Sequence, residues 1–279
     1  MVKTHNSRKR FIAAALGALA LGAMAPASAE VNMFDGEWHF SVTPYAWLPN
    51  VNGSTSFEGP IGVARNMSAD IDSNTLLSHL EFAAMISGEV RKGEWSVFTD
   101  YIYLSLGGQK STVKEINGPF GRLSTAVDLG SSTSVKGDVW TLAGGYSVWH
   151  GKDGHLDVIA GTRYLSLDTT LDWNVDGAAG ILPGRQGSVT LGRSVWDGII
   201  GVKGEIRLGE DGKWFMPYYA DVGTGSHNTT WQALLGGGYR YGWGNLMLAW
   251  RSLSYKFTDG SQNADVRFSG PAIGATFVF

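Results

Sequence analysis

Two aspartates and a histidine have the residue types needed to activate a water molecule for hydrolysis: Asp168, Asp172 and His227. A carboxylate and an imidazole act as general acid and base when both reach the reacting atoms within hydrogen-bond distance. His227 is far from the two aspartates in the sequence. These groups can therefore work together only if the fold brings their segments close together in space.

The run Ser226-His227-Asn228 contains the residue types of a Ser/His hydrolase. Adjacent residues on a tight loop point in different directions, however, and a working Ser–His pair needs about 2.6–3.2 Å between its reacting atoms. Such a polar run is more often a turn. Ser78-His79 is expected to face the interior of the fold without a catalytic role. We therefore assign no catalytic residue.

Metal and cofactor sites have less support. The six histidines are scattered, and His150 and His155 flank a turn without a third ligand. The chain has no Cys, which excludes thiol catalysis and Cys-ligated metal. The run Gly236-Gly237-Gly238 lies inside a predicted strand and does not open a helix, so it is not a phosphate loop. We expect no metal and no cofactor.

The elements that would position these residues are β-strands. From Trp196 to Leu208 the even positions are all apolar or glycine, while the odd positions include Asp197, Lys203, Glu205 and Arg207. Successive side chains of a strand point to opposite faces. This strand is thus predicted to have one apolar face and one charged face.

The same alternation predicts ten strands, with an even number of eight or twelve as the alternatives. Their ranges are 38–48, 79–91, 94–106, 135–149, 156–168, 194–208, 214–223, 229–242, 245–257 and 264–279. Short polar connections alternate with long ones at 49–78, 107–134 and 168–193. Bacterial outer-membrane barrels have short periplasmic turns and longer external loops. The long segments are therefore predicted to face outside.

The first 29 residues have the pattern of a secretory signal peptide. Lys3, Arg8, Lys9 and Arg10 precede an apolar run from Phe11 to Ala25, and Ala27-Ser28-Ala29 fits a cleavage site. Residues 30–279 are then the mature domain, with 18 Lys and Arg against 25 Asp and Glu, a net charge of −7. No basic stripe remains to bind nucleic acid.

The C-terminus resembles that of Gram-negative outer-membrane proteins. Ile273-Gly274-Ala275-Thr276-Phe277-Val278-Phe279 alternates apolar residues and ends on an aromatic one, and the opening strand contains Thr43-Pro44-Tyr45-Ala46-Trp47-Leu48-Pro49. Together with the leader and the strands, these motifs are similar to the small, opacity-type outer-membrane barrel superfamily. The resemblance implies an all-β, closed antiparallel barrel in the outer membrane. It also implies that the barrel-assembly machinery reads Phe277 and Phe279.

A closed barrel places the charged faces of its strands in the lumen. The predicted lumen charges are Glu81, Glu89, Arg91, Asp157, Arg163, Asp197, Lys203, Glu205, Arg207, Asp221, Arg240 and Arg251. Because desolvating a charge costs several kcal/mol, buried charges need partners. Two interpretations stay open: a paired network that fills the barrel, or a charged constriction that selects small solutes or ions.

The sequence thus predicts a non-enzymatic outer-membrane protein, structural or forming a narrow pore, in contact with membrane lipids and lipopolysaccharide. Two alternatives remain. One is an outer-membrane hydrolase, either an omptin-like protease with Asp168, Asp172 and His227 at its rim or an enzyme acting on lipid A or phospholipids. The other is a surface adhesin that uses the long external loops.

We expect Val202 to touch lipid and Lys203 to face the lumen. An Arg on the lipid face near mid-depth costs about 2–4 kcal/mol, so Val202→Arg should destabilise the folded barrel markedly. Lys203→Ala should cost less, unless it leaves a carboxylate buried and unpaired. Spin labels provide the measurement: oxygen dissolved in lipid should quench a label at position 202 and not one at 203. The reverse result would instead support a soluble barrel, in which the apolar residues face inward and the charges face outward.

Overall fold

β-Strands account for nearly all the regular structure of the chain. The computed structural model describes residues 32–58, 64–112, 129–175, 185–259 and 262–279, and the predicted leader 1–29 lies outside them. The strands are β1 (Trp38–Trp47), β2 (Asn50–Glu58), β3 (Ala64–Ile71), β4 (Leu80–Lys92), β5 (Trp95–Thr112), β6 (Leu129–Gly151), β7 (Gly154–Val175), β8 (Arg185–Leu208), β9 (Trp214–Thr224), β10 (Asn228–Tyr241), β11 (Gly244–Asp259) and β12 (Gln262–Val278); one helix, α1 (Ser73–His79), precedes β4.

Ten of these strands form a closed antiparallel barrel. β4 to β12 pair in sequence order, and β1 pairs with both β4 and β12, which closes the ring. At the last residue, the Phe40 amide donates to the Phe279 carbonyl at 3.1 Å and the Phe279 amide donates to the Phe40 carbonyl at 2.8 Å. The predicted even count of ten and the closed all-β architecture are confirmed. Because the ring is closed, each of the ten strands has a hydrogen-bonded neighbour on both sides.

The other two strands form a hairpin attached to the barrel. β2 continues the line of β1 along β12, pairing from Asn50↔Ser269 to Phe57↔Gln262, and β3 pairs with β2. The break between β1 and β2 falls at Leu48-Pro49, where proline has no amide to give to the ladder. Gly270 lies opposite this break, and a Cβ there would be 2.1 Å from the Leu48 carbonyl oxygen. Glycine therefore permits a close backbone approach at this corner.

The two ends of the barrel differ. The turn end carries the short connections near Gly93, Lys152-Asp153, Gly209–Lys213 and Gly242-Trp243, and Gly93 adopts a positive φ of 56° that suits its tight turn. The opposite end, the loop end, carries α1, the β2–β3 hairpin and the upper parts of β5 to β8. None of the helical structure in the described ranges is long and apolar enough to cross a membrane.

The faces of β8 are as predicted. Ile200 and Leu208 are 59% and 46% exposed on the outer surface. Lys203 and Glu205 point inward and form ion pairs with residues of other strands. The apolar face of the alternation is therefore outside, which is the reverse of a soluble barrel.

The segments 49–78, 107–134 and 168–193, predicted as long external connections, contain regular structure. The first contains β2, β3 and α1. Within the described parts of the other two, β5 runs to Thr112, β6 starts at Leu129, β7 runs to Val175 and β8 starts at Arg185. The polar, Ser- and Thr-rich composition suggested loops, but strands can extend through it because cross-strand hydrogen bonds need no apolar side chains.

The prediction that a strand begins at His79 is wrong, because His79 ends α1. Asp72 caps this helix: its carboxylate accepts a hydrogen bond from the Thr75 amide at 2.7 Å. That bond holds the pKa of Asp72 below its usual range. Leu76 anchors the helix, being only 2% exposed. His79 and Ser78 consequently lie at the loop end, not on an inner strand face.

Deleting Phe279 should weaken closure of the barrel at the turn end. It removes both backbone hydrogen bonds to Phe40, each worth about 0.5–1.5 kcal/mol net. Heat-modifiable migration on a gel measures the folded fraction. In refolding of the purified protein, Phe279→Ala is the matched control, since it keeps the backbone bonds and removes only the side chain.

If Phe279 is also the assembly signal, Phe279→Ala should lower the folded fraction in cells while purified protein refolds normally in detergent. An unchanged folded fraction in cells for both variants would contradict our interpretation of the C-terminus.

Candidate functional site

An apolar cluster fills the interior towards the loop end. Its buried members come from β1, β5, β6, β7, β11 and β12 and are Trp47, Ile102, Val139, Leu165, Leu253, Tyr255, Phe257 and Ala272. The rings of Tyr255 and Phe257 are stacked with their centroids 5.9 Å apart. Tyr255 has no exposed surface. This part of the interior resembles the core of a soluble protein.

The Arg251 cluster lies next to the apolar cluster on the turn-end side. Arg251 donates to Asp100 at 2.6 Å, to the Tyr45 hydroxyl at 2.8 Å and to the Gln232 side-chain oxygen at 2.9 Å. Tyr45 also donates to Asp100 at 2.7 Å. Each charge is therefore paired and further hydrogen-bonded, as a buried ion pair requires.

The Arg163 cluster lies beside the Arg251 cluster at the same level of the sheet, since Thr141 is the register partner of both Arg163 and Asp100. Arg163 binds both carboxylate oxygens of Asp221, in the bidentate geometry that favours arginine. Its Nε donates to Thr141 Oγ1 at 3.1 Å. The side chains of Arg163 and Asp221 are both fully buried. Asp197, nearer the loop end, accepts a hydrogen bond from Asn228.

A third group of charges lies towards the turn end. Arg91 donates to Glu89 at 2.9 Å and to Asp157, and Lys203 donates to the other oxygen of Glu89. Glu205 accepts from Arg240, and from Arg207 Nε at 3.4 Å. Three of these pairs, Arg91–Asp157, Lys203–Glu89 and Arg240–Glu205, link different strands across the interior.

The structure places eleven of the twelve predicted lumen charges in these three groups. Glu81 is the exception: it is exposed at the top of β4, where it accepts a hydrogen bond from Ser105 at 3.1 Å. A register shift between Leu80 and Phe82 removes it from the inner row. Sequence reasoning missed Asp100, because it alternates with Phe98 and Ile102 on a strand whose two faces both look apolar.

A cavity of about 550 Å³ lies between the two arginine clusters and the turn end. Its inner wall includes Asp100, Thr141 and Arg251, and its mouth includes turn residues such as Lys213 and Trp243. The cavity therefore extends from mid-height to the turn end.

Residues 32–37 lie against the mouth of this cavity. The Phe34 ring stacks on His150 with centroids 4.4 Å apart, and the Arg91 guanidinium carbon is 4.8 Å from the same ring. Asp35 accepts a hydrogen bond from His39 at 2.8 Å, which holds the pKa of Asp35 below its usual range. The contribution of this hydrogen bond to stability is present above the usual pKa of an aspartate, and it is lost as pH falls through the lowered pKa of Asp35.

The described side chains among the hydrolase candidates, those of Asp168, Ser226 and His227, do not form a catalytic constellation. Asp168 is exposed on β7 and His227 is exposed in the turn between β9 and β10. β8 and β9 follow β7 in the sheet, so these segments are about 10 Å apart across the strands at a spacing of 4.7–4.9 Å. They also differ in height, because Asp168 pairs with Gly192 of β8 whereas Thr224 of β9 pairs with Gly198, about 20 Å further along the strand. Asp172 lies on β7, but its side chain is not among the described ones. Ser226 is exposed beside His227.

Ser78 and His79 do meet, with Oγ and Nδ1 2.9 Å apart. However, His79 Nδ1 is also 2.9 Å from the Thr75 carbonyl oxygen, which can only accept, so this nitrogen carries the proton. Ser78 Oγ donates to the same carbonyl at 2.8 Å. The imidazole therefore does not act as a base towards Ser78. Within the described residues, no group of three His, Cys, Asp or Glu side chains could hold a metal ion.

Comparison with known proteins gives the fold. No protein-family model and no curated protein matches the chain. Among solved structures, the outer membrane protease OmpT from Escherichia coli matches with a TM-score of 0.52 and 11% identity, over 90% of this chain and 100% of that one. The attachment invasion locus protein Ail of Yersinia pestis gives a TM-score of 0.32 and 9% identity, over 86% and 99%. The chain thus has the fold of outer-membrane β-barrel proteins.

Breaking the Arg163–Asp221 pair should cost more than replacing it. Arg163→Ala leaves Asp221 buried without its partner, which typically destabilises by about 3–5 kcal/mol. The double variant Arg163→Met, Asp221→Leu removes both charges and should recover most of that loss. Urea unfolding in detergent, followed by tryptophan fluorescence, measures both. Lys256→Ala, an exposed site on β11, is the control, and equal losses in the single and double variants would contradict a paired role.

Proposed function

We propose that this protein is a non-enzymatic, structural outer-membrane β-barrel whose interior is closed to the passage of solutes. The observation that carries the proposal is the filling of the barrel at mid-height. The Arg163 and Arg251 clusters occupy the interior at one level of the sheet, and the apolar cluster fills the space on their loop-end side. A conducting pore would need a continuous polar path past these groups.

Insertion in a membrane is supported by the outer surface. Tyr101, Trp140, Tyr164 and Trp196 are direct cross-strand neighbours on β5 to β8 and form an outward aromatic belt. A second group near the turn end includes Trp95 and Trp214, which are 68% and 59% exposed. Between them lie exposed aliphatic side chains such as Ile200. Two aromatic girdles flanking an apolar band are typical of transmembrane barrels.

A non-enzymatic role is supported by the separation of the hydrolase candidates. Catalysis by a general acid–base pair needs both groups within reach of one substrate. Asp168 and His227 belong to segments that are about 10 Å apart across the strands and are further separated along them. The protease OmpT shares the fold, but a shared fold does not imply a shared activity.

The narrow pore is the second candidate, because the cavity reaches from the turn end to the middle of the barrel. The pore and the closed barrel differ in one measurable property, the conductance of ions through the interior. Under the pore hypothesis the arginine clusters would be a constriction that ions pass. Under our proposal they and the apolar cluster are a seal.

Single-channel recording in planar bilayers tests the seal. The folded wild-type protein should give no discrete conductance steps. The double variant Arg251→Ala, Tyr255→Ala removes one large side chain from the Arg251 cluster and one from the apolar cluster, and we expect it to conduct. Trp250→Ala changes the outward-facing neighbour and should stay silent. Uniform conductance steps from the wild-type protein would overturn the proposal in favour of the pore.

A further inference from the structure

The turn-end cavity carries an excess of positive charge. Six cationic side chains line it: Arg91, Lys203, Arg207, Lys213, Arg240 and Arg251. Four anionic side chains face them: Glu89, Asp100, Glu205 and Asp211. A fifth, Asp157, is buried behind the wall, where it pairs with Arg91 and lies 3.9 Å from Lys203 Nζ, so the cations still exceed the anions by one. The chain as a whole has a formal net charge of −3. The cavity is therefore locally opposite in sign to the rest of the protein, and its low-dielectric walls focus that potential.

Arg91, which lines the cavity, has one hydrogen-bond donor without a partner. Its side chain is only 2% exposed, and its Nη2 serves both Glu89 and Asp157. Its Nη1 is buried and has no hydrogen-bond partner. A buried donor left unpaired costs about 1–3 kcal/mol. Because Arg91 lines the cavity, a bound anion that drew this side chain towards it would satisfy the donor.

Glu205 also lines the cavity and would compete with a bound anion for the cationic side chains. Its carboxylate is contacted by Arg240 and Arg207, and His155 Nδ1 lies 3.9 Å from it. An anionic ligand would share these cations with Glu205. Neutralising Glu205 should then strengthen the attraction for an anion.

The walls of the cavity are aromatic and aliphatic. Lys203 Nζ lies 5.3 Å from the centre of the Phe98 ring, and the Arg240 guanidinium carbon lies 4.8 Å from that of Phe215. Leu234 also lines the cavity. Its volume of about 550 Å³ is within the usual range of small-molecule sites. The site therefore offers cationic groups for a charged head and apolar walls for an organic body.

We propose that this cavity binds an organic anion, a phosphate ester or carboxylate with an apolar body. The anionic head lies among Arg91, Lys203 and Arg240, and the body packs against Phe98 and Phe215. This goes beyond the proposed structural role and does not depend on whether the barrel conducts. In the membrane orientation proposed above, the ligand enters from the periplasm, since the cavity reaches only the turn end.

Calorimetric titration of the full folded barrel in a nonionic detergent tests the proposal. Phenyl phosphate supplies the anion and the ring, inorganic phosphate supplies the anion alone, and benzylamine supplies the ring with the opposite charge. We expect saturable binding of phenyl phosphate, weaker binding of inorganic phosphate and none of benzylamine. Absence of saturable phenyl phosphate binding, or equal binding of benzylamine, would overturn the proposal.

Two variants give opposite expected shifts. Lys203→Gln should weaken phenyl phosphate binding by about tenfold, the loss expected for one charge-assisted hydrogen bond. Glu205→Gln should strengthen it several-fold, because it removes the competing carboxylate. A merely structural disturbance would weaken binding in both. Weaker binding by folded Glu205→Gln, or unchanged binding by folded Lys203→Gln, would therefore contradict an anion site.

Folding of each variant is checked by heat-modifiable migration. Lys213 is exposed at the mouth of the cavity, so Lys213→Gln should fold normally and still weaken binding. If Lys203→Gln does not fold, this second variant decides the question, since unchanged binding would count against the proposal. Lys256→Gln is the matched control: it removes one positive charge from an exposed position outside the cavity and should leave binding unchanged.

A soluble anion and a lipid headgroup share this chemistry, and nanodiscs distinguish them. The titration is repeated in discs of phosphatidylcholine alone and in discs that also contain anionic phosphatidylglycerol. Weaker apparent binding of phenyl phosphate only in the anionic discs identifies a headgroup as the ligand. Unchanged binding identifies a soluble anion.

Discussion

The pairing of β1 with both β4 and β12 is the constraint on which the rest of the structure depends. An open sheet surrounded by lipid would leave a row of amide and carbonyl groups without partners, each costing several kcal/mol. Closure removes that cost but fixes the circumference at ten strands. A ring of this size has an interior that side chains can span. What fills the interior then follows from the inward-facing residues.

Burying charged residues inside the barrel costs desolvation free energy, and the ion pairs and hydrogen bonds among them offset that cost. Arg163 and Arg251 each combine an acidic partner with neutral hydroxyl or amide groups, so several donors of each guanidinium are satisfied. Each pair also joins strands that are not neighbours in the sheet, as in the bonds from β7 to β9 and from β11 to β5. Such bonds hold one relative alignment of the strands. A shift of one residue would turn every partner to the outside.

The sequence predicted the ring better than its contents. Strict alternation from Trp196 to Leu208 identified both faces of β8, because lipid outside and charges inside give the two rows different compositions. The same test failed on β5, where Asp100 shares the inner row with Phe98 and Ile102. It also missed α1, since a seven-residue helix is too short for a periodic pattern and depends on the Asp72 cap. The contacts across the interior depend on tertiary packing, which spacing alone does not encode.

The proposed seal at mid-height would give the two ends of the protein separate chemistries. Water in the cavity would exchange with one compartment only, so the acidity, salt and metabolites of that side alone would determine the charge state of its walls. The loop end would share none of this solvent. With the turn end towards the periplasm, as the sequence predicts, substitutions of cavity residues would be hidden from phages, antibodies and other external agents, while the surface of α1 and the β2–β3 hairpin could change without altering the cavity. The two surfaces of one barrel could then evolve independently.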